Sequence, residues 1–73
     1  MNIEVGKTYV HFKGHKIEVL NIAKDSETME NMIVYKHLDT NEIWVRPEKM
    51  FFDDVSDRKD NITGQKTRFA LCE

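Results

Sequence analysis

The sequence predicts an all-β domain, a small SH3-like barrel of about five short strands with a one-turn helix before the last. Three observations predict it. Apolar residues recur with period two in short runs, no window sustains the i, i+3, i+4 spacing of an amphipathic helix, and the runs are parted by polar stretches rich in turn formers. A length of 73 residues suits a single domain spanning 1–73. An OB-fold is the alternative, but it ordinarily takes a longer chain and a helix of several turns.

The elements follow in order. In "KTYVHF", Thr8, Val10 and Phe12 point one way and Lys7, Tyr9 and His11 the other. "FKGHK" then supplies a tight turn, with Gly14 free to take positive φ. In "KIEVLNIAK", Ile17 and Val19 share one phase and Leu20 and Ile22 the opposite one, as a β-bulge or sharp bend requires. "KDSETME", Lys24 to Glu30, is too short for an independent helix, so a turn is expected in which Asp25 and Ser26 bond nearby backbone N–H groups. "NMIVYKHL" is the third strand, its inward face left open because Met32 and Val34 also suit burial. "EIWVR" is the fourth, with Ile43 and Val45 on one face and Glu42, Trp44 and Arg46 on the other. Pro47 ends it and suits the first position of a helical turn in "PEKMF". The polar span from about Ser56 to Gln65 reads as a mobile loop, and "TRFALC" closes the domain with Phe69 and Leu71 inward.

Composition narrows the function classes. The single cysteine, Cys72, cannot form an intramolecular disulfide, which suits a reducing compartment. There is no apolar leader and no run long enough to span a membrane, so a cytoplasmic, membrane-free protein is expected. Asn61-Ile62-Thr63 matches a glycosylation triplet, which means nothing in that compartment. The net charge of −2 is unevenly spread: residues 1–24 and 58–73 are each +2, and residues 25–57 are −6. Mixed charge of this kind is ordinary for a soluble surface.

Catalytic and metal chemistry find little footing. His11, His15, His37 and Cys72 show no paired zinc-type spacing, and no cofactor is expected. Cys72 sits at a chain end, poorly placed for a nucleophile, and Ser26 has no nucleophile-elbow motif around it. There is no glycine-rich phosphate loop, and a barrel this small has little room for an enclosed substrate pocket. An enzyme is therefore the least favoured reading.

The runs "HFKG", "IAKDSETMENMIVYKHL", "IWVRPEKMFFDDV" and "TRF" resemble the bacterial domain-of-unknown-function family 1653 from about Gly6 to Phe69. "SETME" followed by "VY", together with "WVRPEKMF", carries the resemblance, which implies an SH3-type barrel and no known activity. The family often has a tyrosine in a longer link before the tryptophan strand. Here that link is the short polar "LDTNE", with Asp39 in its place.

A surface signal remains. Taking Tyr9, His11, Tyr35, His37, Trp44, Arg46 and Arg68 as opposite the core gives an aromatic and cationic face. Aromatic and arginine side chains anchor binding sites and stack nucleic-acid bases. The candidate binding residues are His11, Tyr35, Trp44, Arg46 and Arg68, with Glu27, Thr28 and Glu30 of "SETME". Glu27 or Glu30 is expected to hold Arg46 in a carboxylate–guanidinium pair, with Thr28 bonding backbone. Two functions stay open. One is a binding module for a peptide, nucleic acid or small polar ligand. The other is a structural protein, a monomer or weak homodimer pairing exposed strand edges, whose rings merely fill a second minor core.

Overall fold

A computed structural model describes residues 3–72. The chain runs β1 (Thr8–His11), β2 (Lys16–Lys24), β3 (Asn31–His37), β4 (Ile43–Pro47), α1 (Glu48–Phe51) and β5 (Phe69–Leu71). These strands form one antiparallel sheet in the order β4-β3-β2-β1-β5. The all-β class, the five strands and the short helix before the last match the sequence reading. The sheet is not closed into a barrel, because β4 and β5 remain its two edges. Pro47 sits one position earlier than expected, as the helix N-cap rather than its first residue.

The second strand bends where its apolar phase switches. The β2–β3 register slips between Val19 and Asn21, leaving Leu20 as the extra residue of a bulge. Ile17 and Val19 are buried before the bulge, whereas Ile22 beyond it is exposed. Gly14 has φ +94° and donates its N–H to the His11 carbonyl at 2.7 Å, closing the first hairpin as expected. The next two hairpins share one design. The Met29 N–H reaches the Asp25 carbonyl and the Asn41 N–H reaches the His37 carbonyl, each at 2.8 Å, with φ of +64° and +62°. Thr28 Oγ1 and Thr40 Oγ1 each accept the N–H two residues on, from Glu30 and Glu42. "KDSETME" is therefore a built turn, with Asp25 Oδ1 accepting the N–H groups of Glu27 and Thr28.

Cross-strand register decides which side chains enter the core. Directly opposed residues in an antiparallel pair share a face. Tyr9 lies opposite Ile17, Tyr35 opposite Val19 and Trp44, and Ile33 opposite Arg46. Tyr9, Ile17, Val19, Ile33 and Tyr35 are all buried, and α1 brings Phe51 onto the same face against Phe69, with ring centroids 4.1 Å apart. This corrects the face assignment. The side bearing Tyr9, Tyr35, Trp44 and Arg46 is the inner face, whereas Ile43 and Val45 point outward, 65% and 57% exposed. Alternation in β1, β3 and β4 leaves apolar residues on both faces, so the pattern alone could not choose between them.

Phe12 is buried as well, but on the other side of β1. Its cover is the segment after α1. Val55 is buried, Ile62 donates its N–H to the Phe12 carbonyl at 3.1 Å, and the Arg58 guanidinium lies 5.0 Å from the Phe12 ring centroid. The span 56–65 has no regular element, yet it is pinned rather than loose. Asn61 Nδ2 donates to the carbonyls of Val55 and Gln65 at 3.0 and 2.6 Å. Gln65 Nε2 lies within hydrogen-bond range of the carbonyls of Val10, Thr67 and Arg68. Polar composition suggested mobility because side-chain amides that cap backbone carbonyls look the same in sequence as solvated ones.

Candidate aromatic and cationic binding face

Register and turn geometry carry a row of rings across the inner face. Trp44, on the edge strand β4, stands edge-on to His37 with centroids 5.7 Å apart. His37 faces His15 at 6.2 Å, and His15 faces His11 at 6.3 Å. Tyr35 and Phe69, 5.8 Å apart, form a floor beneath them. Trp44 is 50% exposed, while Tyr35 is only 2% exposed. Tyr35 is thus a core residue that supports the row and cannot itself stack on a ligand. The two hairpin loops at this end meet through Asp39, whose carboxylate lies 3.7 Å from His15 Nδ1 and 3.9 Å from His37 Nδ1.

Two arginines flank this row, one on each side of the sheet: Arg68 lies 5.7 Å from the ring centroid of Phe12, away from Trp44. Arg46 follows Trp44 on the inner side of β4, and Arg68 immediately precedes Phe69. In both, Nε is buried and has no hydrogen-bond partner. Arg68 keeps one partner, with Nη2 3.3 Å from Asp53 Oδ2. Among the described residues Arg46 forms no ion pair. A buried guanidinium N–H without an acceptor costs free energy that an incoming acceptor would restore.

The expected pairing of Arg46 with Glu27 or Glu30 is not formed. Glu30 Oε1 is taken by Lys49 Nζ at 3.2 Å, and the neighbouring Asn31 reaches Glu48 at 3.4 Å. Glu27 is exposed, and Thr28 is spent on its own turn. The "SETME" turn therefore docks on the start of α1, around a shallow cleft of about 200 Å³ lined by Glu30, Asn31, Glu48 and Lys49. His11, Trp44 and Arg46 share the inner face, whereas Arg68 lies against Phe12 on the other side of β1, 5.7 Å from its ring centroid, and Glu27, Thr28 and Glu30 lie apart from both. Sequence reasoning weighed His15 as a metal ligand and as a partner for Ser26 and left it off the binding face, because its link to the row depends on how two hairpin turns meet. Among the described residues no group of three or more His, Cys, Asp and Glu could hold a metal ion.

His11 sits in a field of cations. Its pKa is pushed down to about 4 from the ordinary 6.5, first by burial and then by Arg68, Arg46, His15 and Lys13. Its Nδ1 accepts the Lys13 N–H at 3.1 Å, a bond that only the neutral ring can make. As pH falls, the unfolded chain therefore takes up this proton before the folded one does. Stability contributed by His11 is expected to be intact above about pH 6.5, to fall down to about pH 4, and to change no further below. An NMR titration of the His11 ring should show a midpoint near the lower value. A midpoint near 6.5 would mean that the ring is neither desolvated nor crowded by cations.

A separate apolar cleft of about 320 Å³ lies beside β5, lined mainly by Ile3, Tyr9, Phe52, Phe69 and Leu71. It shares Phe69 with the floor of the ring row but touches none of Trp44, His37, His15 and His11.

A family model described as "Protein of unknown function (DUF1653)" matches residues 7–71. No curated protein and no solved structure matches the chain.

Proposed function

We propose, from the premise that the chain belongs to the DUF1653 family of proteins of unknown function, that it is a binding module whose inner-face rim takes an extended anionic ligand carrying flat rings. Single-stranded nucleic acid offers both features, with phosphate for Arg46 and bases for Trp44. The observation that carries this reading is the buried, unpartnered Arg46 Nε two residues along β4 from a half-exposed tryptophan on the same face. The half-exposed Trp44 favours an extended ligand stacked on the surface over a small molecule, which is usually enclosed. Arginine and tryptophan are also peptide anchors, but a peptide backbone would leave this guanidinium group without an anion. The net charge of −2 makes the binding modest, without the long-range attraction of a basic surface.

Trp44 is the only tryptophan, so its fluorescence reports on the site directly. A short oligothymidylate is expected to quench Trp44 emission saturably. Raising salt should weaken binding with a log–log slope of about −0.7 for each phosphate neutralised. Arg46→Ala should reduce affinity about tenfold or more while the circular dichroism stays native, in line with the ~1.5–3 kcal/mol of a charged hydrogen bond. Unchanged emission with oligothymidylate, alongside quenching by an oligoglutamate peptide, would replace the nucleic-acid reading with a peptide one. Silence with both would remove the binding face altogether.

A further inference from the structure

The free edge of the sheet carries an independent signal. β4 is an edge strand, and its Ile43, Trp44 and Val45 are all at least half exposed. Soluble proteins usually guard such edges with charge, proline or a bulge; here Arg46 and Pro47 guard only the C-terminal end of the strand, and Ile43, Trp44 and Val45 carry no such device. The His37 N–H bonds the Glu42 carbonyl at 2.9 Å, and Tyr35 is opposite Trp44. Hydrogen-bonded pairs alternate along an antiparallel ladder. Glu42, Trp44 and Arg46 therefore turn their backbone groups toward β3, and Ile43 and Val45 turn theirs away from the sheet.

We propose that the chain forms a symmetric homodimer through antiparallel pairing of β4 with β4 of a second copy, centred on Trp44. About that centre Ile43 meets Val45 of the other copy, so every outward N–H and C=O of these two residues finds a partner. Sliding by one residue sets outward groups against inward ones. The neighbouring in-phase register toward the C-terminus sets Ile43 against Pro47, which has no N–H to give.

The side chains agree with the backbone. "EIWVR" is self-complementary when reversed: Glu42 falls opposite Arg46, Ile43 opposite Val45, and Trp44 opposite itself. Among the described residues neither the Glu42 carboxylate nor the Arg46 guanidinium has an ion-pair partner within its own chain. A parallel pairing would instead set Glu42 against Glu42 and Arg46 against Arg46. This charge match favours a second copy over an unrelated strand, which would satisfy the backbone alone. The interface builds one continuous sheet and needs no ligand.

Sedimentation equilibrium of the ligand-free full chain, run over a concentration series, tests the proposal. The mass is expected to rise toward twice that of the chain. Val45→Pro removes an outward N–H at an edge position where proline costs no β3–β4 bond, and should hold the mass at one chain with the circular dichroism retained. Glu42→Arg should weaken the dimer at least tenfold, and adding Arg46→Glu to it should restore the dimer. If Val45→Pro does not fold, the two charge variants decide the matter. A single-chain mass at every concentration, a dimer that survives Val45→Pro, or a dimer indifferent to Glu42→Arg overturns the proposal. Because Trp44 and Arg46 lie in both sites, oligonucleotide titration of Trp44 is read on Val45→Pro as well as on the parent, so that loss of the dimer and loss of ligand binding are scored apart.

Discussion

Phe51→Ala is expected to leave the chain largely unfolded at room temperature. Phe51 is fully buried, stacked on Phe69 at 4.1 Å and edge-on to Tyr35 at 5.6 Å. It is the last residue of a four-residue helix and its buried one; so short a helix has no stability of its own. Truncating a buried phenylalanine costs about 3–5 kcal/mol. A single core in a chain of this size supplies only about 3–5 kcal/mol of net stability. The two quantities are of one size, so the loss should be complete or nearly so. Urea unfolding followed by circular dichroism measures it. Phe51→Leu, which keeps most of the volume, should fold with a reduced midpoint. A cooperative transition for Phe51→Ala within about 1 kcal/mol of the parent would show that α1 is not the plug of this core.

The second large effect concerns the segment that covers Phe12. Asn61→Ala should destabilise the fold by roughly 2 kcal/mol, because it strips the carbonyls of Val55 and Gln65 of a donor in a half-buried place. It also removes the Oδ1 that accepts the Gly64 N–H at 2.9 Å. Asn61→Asp should do comparable harm, since a carboxylate cannot donate to either carbonyl. Hydrogen exchange gives the sharper reading. The amides of Val55 and Ile62, bonded to the carbonyls of Lys66 and Phe12, should be protected in the parent and lose protection in the variant. Fast exchange of both amides in the parent would return the segment to a mobile loop.

Asn61 belongs to a triplet that sequence reasoning set aside as an empty glycosylation match, and the structure makes it the peg of a half-buried turn. Local features were legible because they depend on neighbours in the chain. The switch of apolar phase between Val19 and Leu20 required a bulge, and the register slips there. Gly14 between two alternating runs required positive φ, and it has +94°. Asp25 ahead of a short polar stretch required a side-chain-bonded turn, and its Oδ1 accepts two N–H groups.

The sequence by itself therefore determined the strands, the order of hairpins and the all-β class, because period, turn chemistry and chain length are properties of contiguous residues. Which face became the core was left to the tertiary structure. Tyr9 and Val10, Ile33 and Val34, and Trp44 and Val45 are neighbours of nearly equal claim to burial, and only the opposition of Tyr9 to Ile17 and of Tyr35 to Val19 broke the tie. The same opposition sent Trp44 and Arg46 inward and exposed Ile43 and Val45. It also separated Arg46 from the "SETME" turn, because Glu30 met Lys49 of the helix first. Side-chain partners across a sheet follow from strand register, and register is a global property: each strand's alignment is fixed by burying its neighbours' apolar surface along with its own.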